Sequence, residues 1–175
     1  MTALNSSPLN PNFLSRSGFK FIVTRAPDLN FYVQKINVPA VSIVPTIQPN
    51  PFVDIPHSGD HIEYDVLSVT FKVDEDMLNW YSMWTWLHGL GFPNRHNEYE
   101  ELKSGSKLDG LGIESDLKLF ILTSHRNPKV EITFKDAFPI DLAGLDFDST
   151  SSDVDYVEST VSFKYRSYDL FFGPF

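Results

Sequence analysis

Hydrophobic and polar residues alternate along much of this chain with a period of two, the spacing that sends successive side chains to opposite faces of a β-strand. From Gly18 to Arg25, Phe19, Phe21 and Val23 alternate with Lys20, Ile22 and Thr24. Ala26-Pro27-Asp28 turns the chain, and Phe31 to Val38 resumes the pattern with Phe31 and Val33 on one face. The short gap between the two runs predicts an antiparallel hairpin. Ile62, Tyr64 and Val66 then alternate, and Leu67, Val69, Phe71 and Val73 alternate in the opposite phase. One residue is inserted between these halves, which predicts either a β-bulge near Val66-Leu67 or a bend where the strand changes sheets. Leu117 to Thr123 is apolar on both faces and reads as a strand buried from two sides. After a turn at Ser124 to Pro128, Val130, Ile132 and Phe134 alternate with Glu131, Thr133 and Lys135, the pattern of a hairpin partner with one wet face. Beyond Phe138-Pro139-Ile140 and an acidic stretch from Asp148 to Asp155 comes a long strand. Val157, Ser159, Val161, Phe163 and Tyr165 form its inward face, with Thr160, Ser162, Lys164 and Arg166 turned to water.

Three segments break this pattern. From Pro39 to Pro56, the prolines at 39, 45, 49, 51 and 56 each remove a backbone donor, which opposes a central strand and predicts a long loop. Its apolar residues Val41, Ile43, Val44, Ile47, Phe52, Val53 and Ile55 either fold back onto the core or form a partner surface, and the pattern leaves both readings open. Met77, Trp80, Tyr81, Trp84 and Leu87 recur at helical spacing and predict a helix over about 77–88. Asp74-Glu75-Asp76 suits its positive start, and Gly89, Gly91 and Pro93 supply its stop. The periodicity turns Trp80 and Trp84 to the core and leaves Trp86 partly exposed. Asn94 to Asp116 is polar and Gly-containing, an irregular excursion, and the chain closes on the apolar Leu170-Phe171-Phe172-Gly173-Pro174-Phe175.

Aromatic residues make up 14% of the 175 residues, the composition a pleated half-buried surface selects. The expected fold is mainly β: a small antiparallel β-barrel or sandwich with one flanking α-helix, as a single domain over 18–175 behind a flexible arm at 1–17. A 20.0 kDa chain can bury about 70% of its unfolded surface, enough for a core without staples. There is no cysteine, which removes disulfides, thiolate metal sites and thiol nucleophiles together. Met1 to Ser17 has neither the basic start nor the apolar run of a signal peptide, and no stretch reaches membrane-spanning length. A chain made in a cytoplasm is expected. The formal net charge of −9 opposes a phosphate-gripping surface.

A search for chemistry finds little. Gly89, Gly91 and Gly105 match neither phosphate-loop nor dinucleotide spacing. His57 and His61 lie four apart in a Pro-rich loop, where that spacing does not put two ligands on one face. Asp146, Asp148 and Asp153 lack the central Gly and terminal Glu of a calcium loop. Asp141 and Asp146 are paired carboxylates whose separation sequence does not give, and no serine sits in a Gly-x-Ser-x-Gly elbow. The expectation is of no enzyme, no catalytic, cofactor or metal residue, and no cofactor.

The run from Val130 through Phe138-Pro139-Ile140-Asp141-Leu142 to Asp148, followed by an acidic gap and Tyr156 to Tyr165, resembles the tail tube protein family of T4-like contractile phages. The order of elements in front of it, a first hairpin, a Pro-rich loop at Ala40 to Pro56, a strand at Tyr64 to Val73 and a helix, is similar too. The resemblance implies a virion protein that assembles as hexameric rings stacked into a hollow tube. DNA leaves the capsid through that tube without specific binding, and tail sheath and baseplate proteins are partners. It implies a main tube subunit, a baseplate-proximal initiator or a tail terminator ring. Rings and stacks need two distinct contact surfaces. The candidates are the loop residues Val41, Ile43, Val44, Ile47, Phe52, Val53 and Ile55, and the terminal Leu170, Phe171, Phe172 and Phe175. A competing expectation of another class is a stand-alone ligand- or carbohydrate-binding β-barrel with Trp86, Tyr81 and Tyr99 as a platform.

Overall fold

The computed structural model describes residues 12–91, 100, 102, 113–150 and 156–173. Its frame is a pair of long antiparallel partners. Strand β9 (Pro128–Leu142) runs against β10 (Glu158–Lys164) and β11 (Ser167–Phe172); the register shifts once, between Ser162 and Phe163, and then carries on from Lys164 opposite Phe138 to Ser167 opposite Lys135. The first half of β9 belongs to one sheet, with β1 (Phe19–Val23), β8 (Ser115–Leu122) and β11. Its second half belongs to another, with β10, β7 (Leu67–Lys72) and β2 (Val33–Ile36). Every pairing is antiparallel.

The strand changes sheets at Asp136, whose φ of 52° lies in the left-handed region that Asp tolerates better than most residues. The corner is tied down: the Asp136 amide donates to Asp116 Oδ1 at 3.2 Å and Arg166 Nη1 donates to Asp136 Oδ2 at 3.2 Å. The inward faces meet in one core. Phe21 and Val23, Leu117 and Leu119, and Ile132 and Phe134 come from the first sheet; Leu67, Val69, Phe71, Val161 and Phe163 come from the second. The expected inward face of the last strand is found as read, with Ser159, Val161, Phe163 and Tyr165 buried. Among the described residues the architecture is a β-sandwich flanked by one long helix, and the sheet order that begins at β1 and ends at β2 does not close.

Helix α1 (Leu78–Gly91) begins through reciprocal capping. Asp74 Oδ1 accepts from the Asn79 amide at 3.2 Å, and Asn79 Oδ1 accepts from the Asp74 amide at 3.4 Å. Asn79 is fully buried, and its Nδ2 donates to the Lys72 carbonyl at 2.8 Å. The face that meets the core is Asn79, Met83, Trp86 and Gly89, not the one the periodicity selects. Trp86 is 2% exposed, against Phe163 and donating from Nε1 to the Ile113 carbonyl, while Trp84 stands out at 38%. Trp80 is half-buried.

Other expectations are corrected as well. The expected hairpin between the first two strands does not form, because β1 pairs with β8 and β2 with β7. A 3-10 turn at Pro27–Leu29 puts Leu29 into the core and lifts the chain from one sheet to the other. Val130, Ile132 and Phe134 do alternate inward, but Thr133 is buried too, so the other face of β9 is only partly wet. Strand β9 also runs on through Phe138-Pro139-Ile140 to Leu142. The phase change near Val66-Leu67 is the bend of the two alternatives, since the chain there leaves one pairing for another. Asn94 to Asp116 lies mostly outside the described residues.

Candidate assembly surfaces

The expected Pro39–Pro56 loop is the greater part of a two-stranded arm. Strand β3 (Val41–Ile43) pairs with β6 (Ile62–Tyr64), and β4 (Thr46–Gln48) pairs with β5 (Ile55–His57), nested on the same antiparallel path. Pro45 separates β3 from β4, and Pro49 and Pro51 occupy the tip, positions where a missing donor costs no ladder bond. The ladder bonds within the arm are made between its own strands, without the body. At ~3.3 Å per residue, Val41 to Gln48 reaches up to ~25 Å. Gly59 is required midway: a Cβ there would lie 2.0 Å from the Val44 carbonyl oxygen. Val41, Ile43, Val44, Ile47, Phe52, Val53 and Ile55 are all exposed, Phe52 at 96%. The reading in which these side chains fold back onto their own core does not hold.

The root of the arm is clamped. Lys164 Nζ donates to the Tyr64 carbonyl at 2.9 Å, the Tyr165 hydroxyl to the Asp65 carbonyl at 3.0 Å and the Tyr168 hydroxyl to the Pro39 carbonyl at 3.4 Å. Asn37 bridges from the other side, its Nδ2 donating to the Val66 carbonyl and its Oδ1 accepting from the Ser68 amide. The Tyr64, Tyr165 and Tyr168 rings pack edge-on and tilted against one another and Phe134, with centroids 5.1 to 6.1 Å apart. Burial, and then the negative charge that Tyr168, Asp65 and Tyr64 would set against a phenolate, push the Tyr165 hydroxyl up to about 12. Both strands leaving the body are thus held by side-chain donors.

The apolar tail is strand β11, and β9 is its only strand partner among the described residues. Leu170 lies opposite Ile132 and Phe172 opposite Val130, on the sheet face that elsewhere makes the core. Among the described residues nothing covers that face at this edge, and Phe172 is 76% exposed. Phe171 points the other way and is also exposed, and Phe175 lies outside the described residues.

The other candidates do not come together. His57 Nε2 sits 3.0 Å from Gln48 Oε1 on the arm, and His61 lies between β5 and β6. Asp148 Oδ1 accepts from the Thr150 amide and hydroxyl, which lowers its carboxyl below the ordinary range and makes the segment a solvated turn. Asp153 and Tyr99 lie outside the described residues. Trp86 is buried away from Tyr81, so the expected aromatic platform is not built. Tyr81 instead stacks on Trp84 at 5.9 Å, with His88 4.4 Å beyond, a group that the wrong helix phase hid. No helix of the described residues is long and apolar enough to cross a membrane.

By sequence, the chain matches no protein-family model and no curated protein. By structure, it is similar to a chain of the tube-terminating cap of the anti-feeding prophage (TM-score 0.58, 11% identity, 98% of this chain and 100% of that one). It is similar to a chain of the sheath/tube terminator of the PVC extracellular contractile injection system in its extended state (0.57, 12%, 91% and 96%). A chain of the sheath-tube complex of that system aligns with a TM-score of 0.53 and 11% identity over 93% and 94%. The fold defined by the sandwich, its helix and its arm is therefore one found in the tubes and tube caps of contractile injection machines.

Proposed function

We propose that this chain is a structural subunit of a contractile tail, whose copies join in six-membered rings that stack as a hollow tube. The observation that carries this reading is the clamped arm. An apolar ribbon exposed along its whole length, and braced at its root by three side-chain donors, is built to reach another molecule. The uncovered edge at β11 is a second apolar surface, and an assembly that closes into rings and also stacks uses two unlike contacts. The six-fold count comes with the resemblance to contractile-phage tube proteins and with the likeness to tube assemblies.

On this reading sheath subunits surround the tube, a baseplate lies at its far end, and the assembled protein is part of a phage or phage-like particle. DNA passes through the lumen unbound, because a chain of net charge −9 offers phosphates weak repulsion rather than counterion release. A second reading is a tube terminator present as a single ring. The near-complete overlap with a tube-terminating cap favours it. Negative-stain microscopy with light scattering on the purified protein tests both. Extended tubes are expected of the main subunit and single rings of a terminator, while a strict monomer at high concentration would sink both.

A further inference from the structure

The sandwich is open between β1 and β2, the two ends of its strand order, and the gap is a groove of about 390 Å³ walled by Phe19, Phe21, Phe31 and Val33. It continues past Phe19 and Val33 into a shallower stretch of about 530 Å³ bordered by Arg16 and Lys35. Neither β1 nor β2 has a second strand beside it among the described residues, so the groove, with Lys20 and Asn30 beside its apolar walls, lies between two unpaired strand edges. Such edges invite a further strand. Phe31, 88% exposed, stands at the mouth.

The charge around this seam is opposite to that of the molecule. From Arg16 to Ile36 the chain carries Arg16, Lys20, Arg25 and Lys35 against Asp28 alone, within a protein of net charge −9. The arm is the complement. From Val41 to Tyr64 it carries Asp54, Asp60 and Glu63 and no Lys or Arg, beside its exposed apolar residues. We propose that the tip of the arm of one copy, Gln48–Ile55 with Phe52 foremost, docks in the β1–β2 seam of a second copy, where Lys20 and Lys35 meet Asp54. The contact is heterologous, an arm into a seam, so each copy gives one and receives one, and it propagates instead of stopping at a dimer. The groove lies in the size range that buries a small ligand, which accommodates an aromatic tip. This inference rests on the reading of the chain as a self-assembling subunit, and it names the surface that reading leaves without an occupant.

Because the chain has no cysteine, a disulfide test is clean. Full-length F52C and F31C are purified separately, mixed and oxidised; both sites are exposed, so both variants are expected to keep the far-ultraviolet spectrum of the parent. The expected product is a cross-link joining an F52C chain to an F31C chain. In parallel, the K20E/K35E double variant is expected to raise the concentration at which the protein assembles by about tenfold or more, and D54K added to it to recover much of the loss. Oxidation that joins only F52C chains to one another, or K20E/K35E assembling like the parent while the parent forms rings, overturns the docking and leaves the tube reading standing. A parent that stays monomeric overturns the tube reading and the docking with it.

Discussion

At the scale of single residues, the helix shows how one phase error redistributes energy. Trp86 fills the core against Phe163 with its Nε1 bonded to the Ile113 carbonyl, so Trp86→Ala should destabilise by about 3 to 5 kcal/mol in chemical denaturation. Trp84 is largely outside, and Trp84→Ala should cost under ~1 kcal/mol; the reverse order would restore the face read from the sequence. That face was illegible because Leu78, Tyr81, Trp84 and Trp86 put apolar bulk on nearly every side of α1, while a buried Asn79 sits where a polar residue argues for solvent. The asparagine is held there by the Lys72 carbonyl and the Asp74 cap, local partners that a hydrophobic period does not reveal. Arg126 offers a gain. It lies exposed in the β8–β9 turn with φ 60°, its amide donating to the Thr123 carbonyl, in a conformation that glycine adopts without steric cost. Arg126→Gly should stabilise by ~0.5 to 1 kcal/mol in the same denaturation experiment.

At the scale of elements, β1, β7 and β10 were legible because alternate residues of each enter the core, and a period of two follows. The arm was not, because both its faces are wet. Its prolines oppose a central strand, yet β3 to β6 form a free-standing ribbon in which Pro45, Pro49 and Pro51 fall between or beyond the paired residues. The apolar composition of the segment was legible; its shape was not. Gly59 tests the shape: Gly59→Ala drives a Cβ into the Val44 carbonyl, so the arm must deform while the core is untouched. Assembly by light scattering should fall, with the thermal midpoint of the body unchanged. The clamp at the root has a pH signature. Tyr165 is protonated in the fold up to about 12 and near 10 when unfolded, so the stabilisation it represents is complete below pH 10 and is lost as pH rises through 12. Stability measured from pH 9 to 12 should fall more steeply for the parent than for Tyr165→Phe. At neutral pH that variant should cost about 1 kcal/mol for the lost bond to the Asp65 carbonyl.

At the scale of the whole molecule, the two surfaces chosen from the sequence lie at different places on the sandwich, the arm on the chain between β2 and β7 and the tail at the edge strand β11. They were legible as excess hydrophobicity, since greasy residues without a periodic partner have to be covered by something. Whether the body folds without the arm depends on packing, which the pattern of residues along the chain does not carry. The register Ile43 opposite Ile62 makes this testable, because Val44 to His61 can be replaced by an Asn-Gly turn that keeps β3 and β6 paired and leaves Tyr64 in its aromatic cluster. The removed residues are exposed or, like Gly59, touch the arm alone, so the shortened protein should unfold in the same cooperative transition as the parent, within ~1 kcal/mol. It should sediment as a monomer where the parent forms rings or tubes. A shortened chain that still assembles would move the contact to β11, and one that fails to fold would make the arm part of the core after all.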